Sequence, residues 1–171
     1  MRVPTAASTM LILALAACGS RGTRPEARAL TEADHLAILT ALHLSADRQG
    51  LVLNECGELS RPQFLPAELG GRVGTAALFA ISGGPTTAGC YGDGPDLHLL
   101  MRDGTGWREI YSARGRMLII LPTTTGGVRD IGDGGPGLSF PVWIWNGTEY
   151  MPAGREISDS ELSKTKATYL P

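Results

Sequence analysis

The side chains of this chain that could do chemistry are three cysteines, Cys18, Cys56 and Cys90, three histidines, His35, His43 and His98, and the aspartates of two glycine-rich segments. Zinc is the first chemistry to test. The cysteines are isolated and the histidines scattered, without the paired spacing a zinc site needs. Calcium is the second, since Asp93 and Asp96 (Tyr91-Gly92-Asp93-Gly94-Pro95-Asp96) and Asp130 and Asp133 (Asp130-Ile131-Gly132-Asp133-Gly134-Gly135-Pro136-Gly137) are candidate oxygen ligands. Neither segment has the EF-hand spacing, and Asp beside Gly is also ordinary turn chemistry, so no metal is expected. The second segment lacks Gly-Lys-Ser/Thr and a following helix, which excludes a phosphate cradle. Acyl-transfer chemistry fares no better: Ser139 lacks a Gly-x-Ser-x-Gly elbow, and no His-Glu-x-x-His segment occurs. A four-residue hairpin loop would set His98 opposite Tyr111, a pair that cross-strand packing explains. No catalytic residue is assigned, and the balance is against an enzyme.

Cys18 offers a different chemistry. Met10 to Ala17 is an apolar run too short to cross a hydrocarbon core, which needs about 20 residues. Arg2 is the one charged side chain before Cys18, as in the basic start of an export signal. The run ends in Leu15-Ala16-Ala17-Cys18, which resembles the bacterial lipobox, cut before a Cys whose thiol carries a diacylglycerol and whose freed amine is acylated. The resemblance implies that residues 1–17 are a signal peptide and that Cys18 is the lipidated residue, with no other cofactor. With Gly19 and not Asp after the Cys, it implies an outer-membrane lipoprotein facing the periplasm. Each methylene buried in lipid contributes about 0.8 kcal/mol, so several acyl chains anchor firmly. With Cys18 committed to lipid in an oxidising compartment, Cys56 and Cys90 remain as an even pair and a disulfide is expected. A catalytic thiol at either position lacks an evident base.

Loss of the signal removes Arg2 and leaves fourteen basic against seventeen acidic residues, a net charge of −3. No basic stripe is present, so no nucleic-acid partner is expected. The abundant glycine (23) and proline (11), with 6% aromatics, point to many turns between short strands.

The elements follow from the pattern. Residues 18–29 read as a flexible tether. Thr31 is placed as a helix N-cap with Asp34 at capping-box distance, ahead of Leu36, Ile38, Leu39 and Leu42, in a helix expected to run to near Gly50. His35 and His43 would share an arc of that helix about 12 Å apart, too far for one metal ion. Strand-length patterns follow at 51–54, 73–82, 97–102, 107–112, 117–121, 140–145 and 148–151. Asp103-Gly104-Thr105-Gly106 and Asn146-Gly147 are hairpin signals. A two-residue turn at Asn146-Gly147 would put Trp143, Trp145 and Tyr150 on one sheet face, either core or an exposed platform for a ligand or partner. The expected fold is α+β and mainly β: an N-terminal helix, then an antiparallel meander of about seven strands. Residues 30–157 form its single domain, and 158–171 a polar tail.

Asn54-Glu55-Cys56-Gly57, Cys90-Tyr91-Gly92, Gly106-Trp107-Arg108, Gly127-Val128-Arg129-Asp130-Ile131 and Trp145-Asn146-Gly147-Thr148-Glu149-Tyr150 together resemble an uncharacterised family of proteobacterial exported proteins with FG-GAP-like β repeats. The Asp-rich segment that many relatives carry between the cysteines corresponds to 68–75 here, which lacks its ligands. The family brings no activity with it. The expected function is a non-catalytic accessory subunit or binding module, attached to the membrane through its lipid and working with an envelope protein partner. An inhibitor of a cell-wall lytic enzyme or protease is the alternative, and a hydrolase of unknown class the third reading. Mass spectrometry of the amino terminus of protein purified from envelopes is expected to find Cys18 first, bearing its acyl groups; an unmodified Cys18 or an intact Met1 would contradict the lipobox.

Overall fold

The computed structural model describes residues 27–83, 90–92, 94–115, 117–134 and 139–171. The expected signal peptide, Cys18, most of the tether, Asp93 and residues 135–138 of the second acidic segment lie outside them. In chain order the elements are α1 (Glu32–Ala41), β1 (Val52–Leu53), β2 (Leu59–Ser60), β3 (Gln63–Gly70), β4 (Gly74–Ile81), β5 (Asp96–Asp103), β6 (Gly106–Arg114), β7 (Met117–Thr125), β8 (Val128–Gly134), β9 (Ser139–Trp145), β10 (Tyr150–Ser158), α2 (Asp159–Leu162) and β11 (Thr168–Leu170). The protein is mainly β, and among the described residues all strand pairs are antiparallel.

Among the described residues, eleven strands in three sheets replace the expected meander of about seven. The first sheet runs β3-β4-β5-β6, the second β10-β9-β8-β7-β11, and β1 with β2 makes a small hairpin. Of the four added strands, β2, β3, β8 and β11, the last three lie in stretches whose residues did not read as strand. β3 carries Pro66, which lacks an N–H to donate, and it lies at a sheet edge where that loss is tolerated. β8 contains Asp130 and Asp133, so the second acidic segment begins as a strand, not a loop. β11 lies in the stretch expected as a polar tail; it pairs with β7 through Tyr169↔Ile119 and finishes the sheet.

The two large sheets face each other. Between them lie Leu69, Leu78, Leu97, Leu99, Ile110 and Tyr111 from the first, and Leu118, Ile120, Ile131, Trp145 and Tyr150 from the second. Each outer face is covered too. Ile38 and Leu39 of α1 pack with Val52 on Phe79, Ile81, Leu100 and Trp107, and Leu162 of α2 packs on Ile119, Leu121 and Val142. Strands β4 and β7 are therefore apolar on both sides, which is why they read as unbroken apolar runs. Where the β3–β4 turn backs onto the β7–β8 turn, a Cβ on Gly71 (φ +57°) would stand 2.6 Å from the Gly127 carbonyl oxygen, so only glycine fits.

Helix α1 starts at a full capping box. The Asp34 N–H donates to Thr31 Oγ1 at 3.2 Å, and the Thr31 N–H donates to Asp34 Oδ2 at 2.9 Å. It stops at Ala41, well short of Gly50. The Leu44 N–H donates to Leu39 O at 2.8 Å and the His43 N–H to Thr40 O at 3.1 Å, a Schellman motif with His43 (φ +56°) at the left-handed position where glycine is commonest. His43 is thus a turn residue and not a helical neighbour of His35, whose ring stacks on Phe64 with centroids 4.2 Å apart.

Asp34 also docks the helix. Its Oδ1 accepts from Arg102 of β5, whose guanidinium lies 4.8 Å above the Trp107 ring. The Thr31 N–H, working against burial, then the Thr31 hydroxyl and Arg102, hold the Asp34 carboxyl below the ordinary carboxylate range. A depressed carboxyl stabilises the fold at pH values above its unfolded pKa and loses that effect as pH falls through its folded value. Asp34→Asn is expected to cost about 2 kcal/mol at neutral pH. In urea unfolding the gap to wild type should close at acid pH; a gap independent of pH would contradict the role given to the charge.

Candidate functional site

On the outer face of the first sheet, beyond the end of α1, lies a cleft of about 390 Å³. Its apolar surface comes from Leu42 and Leu44 after the helix, Leu53 of β1, and Phe79 and Ile81 of β4. Its polar side chains are Asn54, Glu55, Asp96, His98 and Ser112. The cleft exists because α1 is short. The Schellman turn at His43 drops the chain away, leaving the end of β4 and the starts of β5 and β1 open beside it.

One wall is the turn from Asn54 to Glu58. Asn54 is buried, and its Oδ1 accepts from the N–H of Cys56 and of Glu58, both at 3.0 Å, while its Nδ2 donates to Ser60 Oγ at 3.1 Å. That side chain does the work of a backbone turn. The Cys56–Cys90 disulfide then ties the turn to the segment leading into β5. Arg114, at the end of β6 and outside the lining, braces this wall: its Nε donates to Asp96 Oδ1 at 2.9 Å, its Nη2 to Glu55 Oε1 and its Nη1 to the Cys90 carbonyl at 3.4 Å. Its guanidinium lies 5.3 Å over the Tyr91 ring.

The floor bears a histidine and carboxylate pair. His98 Nδ1 is 2.7 Å from Glu109 Oε2. This corrects the expected pairing of His98 with Tyr111. Opposite Leu99 and Leu100 the register shifts, so that Tyr111 faces Leu99, Glu109 faces Leu100, and Ser112 faces His98. The bulge at Ile110 sends Tyr111 into the space between the sheets and leaves Glu109, Ser112 and His98 on the outer face. With Nδ1 facing the carboxylate, a neutral imidazole donates to Glu109 and keeps Nε2 as an acceptor.

Other expected site residues are dispersed. Trp145 and Tyr150 are buried and Trp143 packs beside them, so the aromatic strip is core and not an exposed platform. The loop at Asn146-Gly147 holds four residues, pairing Trp145 with Tyr150 and Trp143 with Pro152; a slip of two positions keeps all three aromatics on one face. Tyr111 meets Trp143 edge-on at 5.1 Å, and Trp145 meets Tyr150 at 5.6 Å. The Tyr150 hydroxyl donates to Arg129 O at 2.6 Å.

The described aspartates are not brought together. Asp96 is held by Arg114, while Asp130 is buried, accepts from Thr125 Oγ1 at 2.8 Å and has Arg155 at 3.7 Å. Asp133 lies beside Tyr111, and burial pushes its carboxyl up. Glu55, Cys56 and Cys90 do converge, but both sulfurs are taken by the disulfide. The Ser139 hydroxyl donates to Glu156 at 2.5 Å, outside the cleft.

Glu55, Glu109, Ser112 and Arg114 escaped notice in the sequence as site residues. A signal for the bulge was present: Ile110 and Tyr111 are consecutive apolar residues that break the alternation of β6.

Because Cys56 and Cys90 are 34 positions apart, loss of their bond is expected to lower stability by about 3–4 kcal/mol on the chain-entropy account. Urea unfolding of Cys56→Ser/Cys90→Ser against wild type measures this, and equal midpoints would contradict it. No family model, no curated protein and no solved structure matches this chain.

Proposed function

We propose that this protein is a non-catalytic binding module of the cell envelope: a lipoprotein held at the outer membrane through Cys18, its folded body carried on the 18–29 tether, and its ligand taken in the cleft over the first sheet. The observation that carries the reading is the construction of that cleft. Apolar side chains from the turn after α1, from β1 and from β4 line an open space of a size that small-molecule sites have, about 300–1,000 Å³. Around it stand a few polar groups whose positions are set by other bonds: Asn54 by its turn, Glu55 and Asp96 by Arg114, His98 by Glu109. Fixed polar groups around an apolar floor give orientation and specificity with little ordering cost on binding. The disulfide in the cleft wall accords with an oxidising compartment and so with export.

The reading is tested on the full-length lipidated protein extracted in mild detergent. Native mass spectrometry is expected to find a bound molecule that Ser112→Trp, a change at an exposed position lining the cleft, removes. Wild-type protein that repeatedly arrives with nothing bound would sink it, as would a molecule retained equally by the tryptophan variant.

A further inference from the structure

Resting on the cleft as a ligand site, we infer that its ligand is a small apolar molecule bearing a protonated amine. The charges of the lining are unequal. Glu55 and Asp96 are both lining residues of the cleft, whereas Arg114, the cation that pairs with them, does not line it. Its remaining contacts are with the Cys90 carbonyl and the Tyr91 ring, neither of which lines the cleft. Two carboxylates share one guanidinium, so the network keeps a net negative charge.

An ionised carboxylate accepts about four hydrogen bonds, so the single contact each makes with Arg114 leaves capacity for an ammonium donor. The rest of the lining decides the shape of the ligand. Leu42, Leu44, Phe79 and Ile81 offer no side-chain hydrogen bond, so the apolar body lies on them and the amine points to the rim of Glu55 and Asp96. A ligand carboxylate in that place would meet two like charges and be repelled. At about 390 Å³ the cleft lies at the small end of the range for drug-sized ligands, room for one or two fused rings and a short chain.

Three probes sharing an indole ring and a two-carbon arm separate these causes: tryptamine (amine), tryptophol (alcohol) and indole-3-propionate (acid). They are titrated calorimetrically into the full-length lipidated protein in non-ionic detergent, with detergent alone as blank. Tryptamine is expected to bind about tenfold tighter than tryptophol, the effect of a charge-assisted hydrogen bond, and the acid more weakly than either. Added salt should weaken tryptamine and leave tryptophol unchanged. Glu55→Gln should bring tryptamine down to the affinity of tryptophol; because the salt series needs no variant, it tests the same point if Glu55→Gln does not fold. Equal binding of amine and alcohol, or tightest binding of the acid, overturns the charge selection and leaves the cleft as a ligand site. No heat from any of the three also overturns the inference, and the co-purifying molecule of the preceding test then decides separately whether the cleft holds a ligand.

Discussion

One carboxylate, that of Asp34, joins the two halves of the site-bearing face. It accepts from the backbone N–H and hydroxyl of Thr31, which starts α1, and from Arg102, which belongs to the sheet beneath. Helix initiation and helix docking are thereby one event. An isolated helix of ten residues is marginal in water, so α1 owes its stability to the packing of Ile38 and Leu39 that this anchor aligns. With the helix start pinned, the Schellman turn at His43 falls where it opens the cleft.

A second constraint is that both large sheets are apolar on two faces. A sandwich of two sheets buries only the inner ones, so α1 and the segment around α2 are needed as outer layers. The two covers differ in a way that bears on function. The segment around α2 leads straight into β11 and is closed by pairing with β7, whereas α1 leads away through a turn and leaves part of its sheet uncovered. The cleft is the uncovered remainder of the first sheet, walled by the disulfide-linked turn.

Local chemistry was legible in the amino-acid sequence and long-range geometry was not. The capping residues Thr31 and Asp34 and the reversals at Gly104 and Gly147 are short-range features, readable from residue type. Register failed where a loop length or a bulge decides it: four turn residues between Trp145 and Tyr150 in place of two, and the extra residue at Ile110, whereas the hairpin at 103–106 keeps the expected Arg102↔Trp107 pairing. Helix length failed because histidine at a left-handed position resembles any helical residue in a pattern. The cleft itself was unreadable, since its lining comes from positions 42–55, 79–81, 96–98 and 112–113, which only the sheet brings together. The even count of Cys56 and Cys90 was the one long-range signal that the sequence carried openly.

The order of strands in the sheets bears on how the chain assembles. Within both large sheets, neighbouring strands are neighbours in sequence, except that β11 returns to β7. Hairpins of this kind close over short loops and so form early, while a pairing across some fifty residues must wait. On loop-closure grounds the pairing of Thr168–Leu170 with β7 is expected to follow the closing of the hairpins. Until it forms, β7 presents a bare, apolar sheet edge to its surroundings. Three residues, Thr168–Leu170, thus close an edge that would otherwise be open to pairing with another chain.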